Sequence, residues 1–247
     1  MKRTTRLVAS LLAGLMVTAA LPAMAQTETE VPATEERIEH GFEQLRERVL
    51  KALDRRLVRI DRLQSEIKAS ETIEPENAAH LTADLSASQG QLTALVAHAK
   101  SATTFEELGA IVDEMVYEHR IFALRTPQTW LVLTSDFGVS VADRLDAAAQ
   151  TLADASARAA EAGYDVSEVE ALIDDARTAT NEGLALVEPV AEAVLPLEPV
   201  DVPDPARAIM EEARSDMSAG RDAYHNARDT LRRAAELLAE IVGSDAA

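Results

Sequence analysis

Along most of this 247-residue chain, apolar residues recur at steps of three and four, the period of one face of an α-helix. From Thr34 to Ala69 the positions are Ile38, Phe42, Leu45, Val49, Leu53, Leu57, Ile60, Leu63 and Ile67. Pro75, at a first-turn position, opens a second run carrying Leu81, Leu85, Ser88, Leu92, Leu95 and Ala99. Thr104 and Glu107 make a capping box for a third helix. That helix meets Pro127, whose missing N–H and ring clash predict a kink or break, with a β-hairpin turning at Thr126-Pro127 as the local alternative. Beyond it, Phe137, Val141, Leu145, Ala148, Leu152, Ala155, Ala159 and Ala162 lead to Gly163, a C-terminal cap.

A second capping box, Ser167 with Glu170, starts a helix reading Val169, Ile173, Ala176, Thr180, Gly183, Val187, Val190 and Val194. Five of the nine prolines then fall between 189 and 205, so 196–204 reads as an extended connector and the natural hinge. Asp204-Pro205 restarts a helix as cap and first residue. In this last helix Met210, Ala213, Met217, Gly220, Tyr224, Ala227, Leu231, Ala234, Leu238 and Ile241 alternate steps of three and four without a fault, with Ala213, Gly220, Ala227 and Ala234 the small members. Small residues every seven let two backbones approach toward the short end of the usual 8–10 Å spacing. The helices holding Ala148, Ala155 and Ala162, and Ala176 and Gly183, share the device. About 35 helical residues span roughly 52 Å. The fold class read from these patterns is all-α, an elongated antiparallel bundle or coiled coil of about five helices, the third kinked at a proline.

The first 25 residues depart from the heptads. Lys2, Arg3 and Arg6 precede an apolar stretch from Leu7 to Leu21, and Ala23-Met24-Ala25 offers a cleavage site before Gln26. This predicts a signal peptide at 1–25, a disordered leader at 26–34 and one helical domain at 35–247. Cleavage takes the net charge from −19 to −22. The product is expected in the periplasm or outside the cell, with no transmembrane segment after cleavage. Such a charge argues against nucleic acid as a partner. Cysteine is absent, and an apolar content of 47% allows a core without disulfides.

Candidate chemistry is sparse. Residues 117–137 hold the only Trp, two of four Phe and one of three Tyr. Tyr117, Phe122, Pro127, Trp130 and Phe137 read either as a partner or ligand site at a kink or as a bulky plug of the core. No Glu-x-x-His element of a di-iron bundle occurs. The pairs Glu36/His40, Glu76/His80 and Asp222/His225 read as solvated surface, so no metal, cofactor or catalytic residue is assigned. His119, near the line of Met115 and Phe122, reads as a satisfied, partly buried histidine.

Charge is uneven. Arg46, Arg48, Lys51, Arg55, Arg56, Arg59 and Arg62 stand against three acids, whereas 161–201 holds eleven acids and Arg177 alone. Two readings stay open: pairing of these surfaces within the fold or a dimer, or a basic stripe (Arg48, Arg55, Arg59, Arg62) that meets an anionic wall polymer or lipid headgroups. Arg207, Arg214, Arg221 and Arg228 recur every seven residues and are expected to reach acids on the helix before the connector.

Two stretches, Tyr117 with Arg120-Ile121-Phe122-Ala123-Leu124, Pro127-Gln128 and Leu131, and Leu197-Glu198-Pro199 with the Ala–Arg heptads of 206–233, resemble a loose group of exported, all-helical bacterial proteins of unknown function, frequent in actinobacteria. The resemblance implies secretion and a helical bundle, and no activity. The functional expectation is a non-enzymatic structural or protein-interaction module of the cell envelope, its partner an envelope protein or an anionic wall polymer, with homodimerisation open. The alternatives are a periplasmic small-ligand or metal-binding protein and a periplasmic chaperone.

Overall fold

Local chemistry sets where each helix starts and stops. The computed structural model describes residues 31–243; the predicted signal peptide and residues 26–30 of the leader lie outside them. Every regular element among the described residues is helical: α1 (Val31–Ala69), α2 (Pro75–Ser101), α3 (Phe105–Tyr117), α4 (Thr126–Glu161), α5 (Ser167–Val187), α6 (Pro189–Val194) and α7 (Ala206–Gly243). The chain divides between His40 and Gly41 into an N-terminal unit and a body, and the body carries the rest of α1 and every later helix. No helix of the described residues is long and apolar enough to cross a membrane.

The expected capping box at Thr104 forms: the Glu107 N–H donates to Thr104 Oγ1 at 3.2 Å, and the Thr103 and Thr104 N–H groups donate to Glu107 Oε2. These donors hold the Glu107 carboxyl below its ordinary pKa. Gly163 takes φ +95°, and the Gly163 and Tyr164 N–H groups close back on the carbonyls of Ala160 and Ala159, a Schellman end that a Cβ would strain. The second expected box does not form. Ser167 is already inside α5, and its N–H and hydroxyl donate to Asp165 Oδ1 instead.

The break in the third helix also lies elsewhere. α3 ends at Tyr117, and Arg120 takes the left-handed φ of 45°, uncommon outside glycine. Residues Ile121–Arg125 then form a single π-turn, with the Thr126 N–H donating to the Ile121 carbonyl. Pro127 sits in the first turn of α4, where its missing N–H breaks no bond. No strand forms there, so the hairpin alternative fails. Pro189 likewise divides the helix expected to reach Val194 into α5 and α6.

The stripes of α2 and α5 are buried as their periods predict, and that of α7 is buried except at Met217 and Ile241, which are half-buried. One core joins Leu53, Ile60 and Leu63 of α1, Leu85 and Leu92 of α2, Leu108 of α3, Val132 of α4, Val194 of α6 and Met210 of α7. A second joins Ala149 and Ala159 of α4, Val169 and Ile173 of α5, and Leu231 and Leu238 of α7. Between them Ala142, Val187 and Tyr224 form a small bridge.

The tightest seam is α5 against α7. A Cβ built on Gly220 would stand 3.1 Å from the Gly183 carbonyl oxygen, and one on Gly183 would stand 3.1 Å from the Gly220 oxygen and 2.5 Å from the Tyr224 ring. α4 presses into the same place, its Gly138 leaving only 2.9 Å for a Cβ beside Val187.

Of the stripe predicted for α4, Ala159 is buried, and Leu145, Leu152 and Ala155 pack half-buried against the second core. α4 buries Ser135, Asp136, Gly138, Ala142, Ala149, Ser156 and Ala159, while Phe137 and Ala148, predicted to be core, are exposed and Val141 and Leu145 only partly covered. Beyond Leu131 and Val132, which are buried, the helix turns a mostly small face inward and leaves Phe137 at the rim.

A matched pair of substitutions tests the seam. Gly90 is mid-helix in α2 with open space around it, so Gly90→Ala should stabilise by about 0.5–1 kcal/mol. Gly183→Ala gains the same helix propensity but overpacks the seam, and should destabilise by about 1–3 kcal/mol net. At roughly 2–4 °C per kcal/mol for a domain of this size, the two melting temperatures should move in opposite directions; a rise in both refutes the close approach.

Candidate functional site

The two patches that the sequence singles out, the basic stripe of α1 and the aromatic segment 117–137, are brought together by the π-turn. Its left-handed entry at Arg120 turns the chain so that Ile121 and Leu124 point into the core and Phe122 points out. The Arg56 guanidinium lies over the Phe122 ring at 5.3 Å, and Arg59 Nε donates to Thr126 Oγ1 at 3.2 Å. A third guanidinium, that of Arg120, covers the Tyr117 ring at 4.9 Å. Each such contact at an exposed site is worth about 0.5–1 kcal/mol.

None of the four large aromatics plugs the core: Tyr117, Phe122, Trp130 and Phe137 are 43–56% exposed. The buried face of the same segment is polar instead. Arg125 donates from Nη1 to Asp84 Oδ2 at 2.5 Å and to Gln128 Oε1 at 2.9 Å. Gln128, fully buried, donates to the carbonyls of Val194, Leu195 and Leu197 at 2.8–3.2 Å. Ser135 Oγ donates to the Val187 carbonyl at 2.8 Å. Asp136 accepts from the Glu74 N–H at 2.9 Å and from Asn77 Nδ2 at 3.0 Å, so a carboxylate of α4 caps the start of α2, the end of a helix that favours negative charge.

His119 stands beside this network. It is 3% exposed, yet its Nε2 has no hydrogen-bond partner, so the expected satisfied histidine is buried but not satisfied. Burial lowers its pKa below the ordinary value, with Arg56 and Arg125 acting the same way and Glu114 and Glu118 opposing. Two cavities of about 570 and 600 Å³ meet at His119, Glu118 and Gln91; the first continues past His80, Asp84 and Arg125 to the connector at Leu195–Pro199.

The other expected sites fall differently. Arg48, Lys51 and Arg55 make no ion pair among the described residues, and Arg62 pairs with Glu66 of its own helix. No ion pair among the described residues joins 46–62 to the acidic stretch 161–201. The heptad arginines also stay on α7: Arg207 pairs with Glu211, Arg221 with Asp222 and Arg228 with Asp229, and none reaches an acid on α5. His80 approaches Asp84 at 3.8 Å rather than Glu76. Among the described residues no three His, Asp or Glu side chains stand close enough to share a metal. Sequence reasoning misses Arg125, Gln128 and Asp136 as a group, although Arg125-x-x-Gln128 at helical spacing is a signal for the first two.

The chain was compared with family models, with curated proteins and with solved structures, and it matches none of them.

A folded-state pKa below the unfolded value near 6.5 makes the unfolded chain bind more protons at His119. The stability due to its neutral form is present above that value and lost as pH falls through the folded pKa. Thermal melts should therefore decline from pH 7.5 toward pH 5, and His119→Leu should flatten that slope; an equal slope in the variant refutes the assignment.

Proposed function

We propose that this protein is an exported, non-enzymatic bundle of antiparallel helices that serves as a structural or interaction module of the cell envelope. The arginine–aromatic face of α1 and the π-turn is its partner surface. The supporting observation is the packing of Arg56 on an exposed Phe122, on a helix whose Arg48, Lys51 and Arg55 make no ion pair among the described residues. Flat aromatic area next to free guanidinium groups is the composition of binding hot spots. A partner matching it carries negative charge, as an anionic wall polymer or an acidic patch of an envelope protein does. Export itself rests on the leader-like residues 1–25, and the resemblance to exported helical proteins supports the same location. A small-ligand reading draws support from the cavities that meet at the unpartnered His119 Nε2.

Placing a photo-crosslinking residue at Phe122 in intact cells should yield one discrete envelope adduct. Arg48→Glu with Arg55→Glu should abolish that adduct without altering helix content or melting. An adduct unchanged by the charge reversal, or none at all, refutes the partner surface.

A further inference from the structure

His119 stands where the chain changes from one helix to the next. α3 closes at Glu118, whose N–H donates to the Glu114 carbonyl at 3.0 Å, and Arg120 takes its left-handed φ directly after the imidazole. The Arg120 carbonyl then accepts from the N–H groups of Leu124 at 2.7 Å and Arg125 at 3.3 Å. The π-turn therefore hangs from the residue next to His119. The ring is 3% exposed and its Nε2 has no partner, so a proton taken up there gives a charge with neither water nor an acceptor. Arg56 of α1 and Arg125 of the turn oppose that charge, while Glu114 and Glu118 favour it. His119 also lines two cavities. One is walled by Gln91, Asp113, Glu114, Tyr117 and Glu118, with three carboxylates and no guanidinium. The charged groups of the other are His80 and Asp84 of α2, Glu118, Arg125 and Glu198 of the connector.

We propose that His119 is a proton-operated latch on the π-turn. Neutral, the ring stays buried; protonated, it moves into the cavity of Asp113, Glu114 and Glu118, and residues 118–120 swing out with it. The move exchanges two guanidinium neighbours for three carboxylates and returns the charge to water. Arg120 yields readily, since a non-glycine residue at φ 45° is held there only by its surroundings. Its carbonyl turns away in the process and releases the Leu124 and Arg125 N–H groups. Met115 in the core on one side and Gln128 under the connector carbonyls on the other stay anchored, which confines the opening. A ring that resists protonation when closed and accepts it when open makes the opening constant rise up to about tenfold per pH unit below ~6.5. Arg120 is also the guanidinium over Tyr117, so acid rearranges the arginine–aromatic face; that consequence rests on the partner surface proposed above, and the opening does not.

Native-state hydrogen exchange of the full chain, corrected for the intrinsic pH dependence of amide exchange, tests the latch with no partner present. Protection of the Leu124 and Arg125 amides should fall by about fivefold to thirtyfold between pH 7.5 and pH 5. Low urea separates this opening from global unfolding, because an opening that exposes little surface responds little to denaturant. Exchange at Leu124 and Arg125 should therefore be nearly independent of urea, while that of Gly183 and Gly220 in the α5–α7 seam rises with it. His119→Leu should remove the acid dependence at Leu124 and Arg125, and His119→Gln, equally unable to titrate, supplies the same result should the leucine variant not fold. His80→Gln should leave it unchanged, since the imidazole of His80 is half exposed already. Protection that holds at pH 5, a loss that tracks urea as the seam does, acid dependence that survives both His119 variants, or its disappearance in His80→Gln overturns the proposal.

Discussion

The contact between Gly183 and Gly220 constrains everything built around it. Two helix backbones meet there with the Tyr224 ring laid against Gly183, each glycine within 3.1 Å of the other's carbonyl oxygen once a Cβ is imagined. Such proximity gives dispersion contacts along the whole seam, and it accepts nothing larger on either helix. It also dictates what the third helix can present. α4 enters the same cleft at Val187, and only a face of Ser135, Gly138, Ala142 and Ala149 is small enough to follow. The exposure of Phe137 and the partial covering of Val141 thus follow from a crossing between two other helices. A groove between α4 and α7 is what that displacement leaves.

At the other end of α4 the organising force is polar. Segment 125–136 touches the ends of three helices: the start of α2 through Asp136, the end of α5 through Ser135, and the carbonyls at and after the end of α6 through Gln128. Helix ends carry backbone groups with no partner inside the helix, and burying them without satisfaction costs about 1–3 kcal/mol each. One amide and one carboxylate reach several of them at once. Turning these groups inward obliges the large aromatics of the same segment to turn outward, because neighbours in a helix cannot share a face. A cluster rich in rings therefore presents those rings to solvent, with arginines laid over Phe122 and Tyr117.

How much of this is legible in residues alone depends on which force rules each helix. In α2 the largest side chains are also the ones that fit the core, and in α7 large and small residues share one face, so period three-four names the buried face at all but Met217 and Ile241. In α4 beyond Val132 burial follows smallness, and a stripe chosen for apolar bulk lands one residue away from Gly138, Ala142, Ala149 and Ser156. A break near Pro127 is expected because proline is visible in a sequence, whereas a left-handed Arg120 is not. Charges mislead for a related reason. Arg221 and Arg228 have an aspartate one residue on, and a near neighbour on the same helix is met at less entropic cost than an acid on another. Asp84 and Asp136, which do act across the fold, look like any other acid in a chain that has 43.

Ion pairing thus runs mostly along helices, and shape rather than charge sets which helices meet. That has a consequence for recognition. Arginines not used between helices keep their charge available wherever the fold sets them beside apolar surface, and here it does so twice. On α1 they flank an exposed ring, and on α7 they edge the groove that α4 leaves. The net charge of −19 disfavours anions in general, so arginines without a partner on another helix mark where an anion would be met. Shape thus decides where these arginines stand, because those of α7 that form ion pairs do so with acids of their own helix.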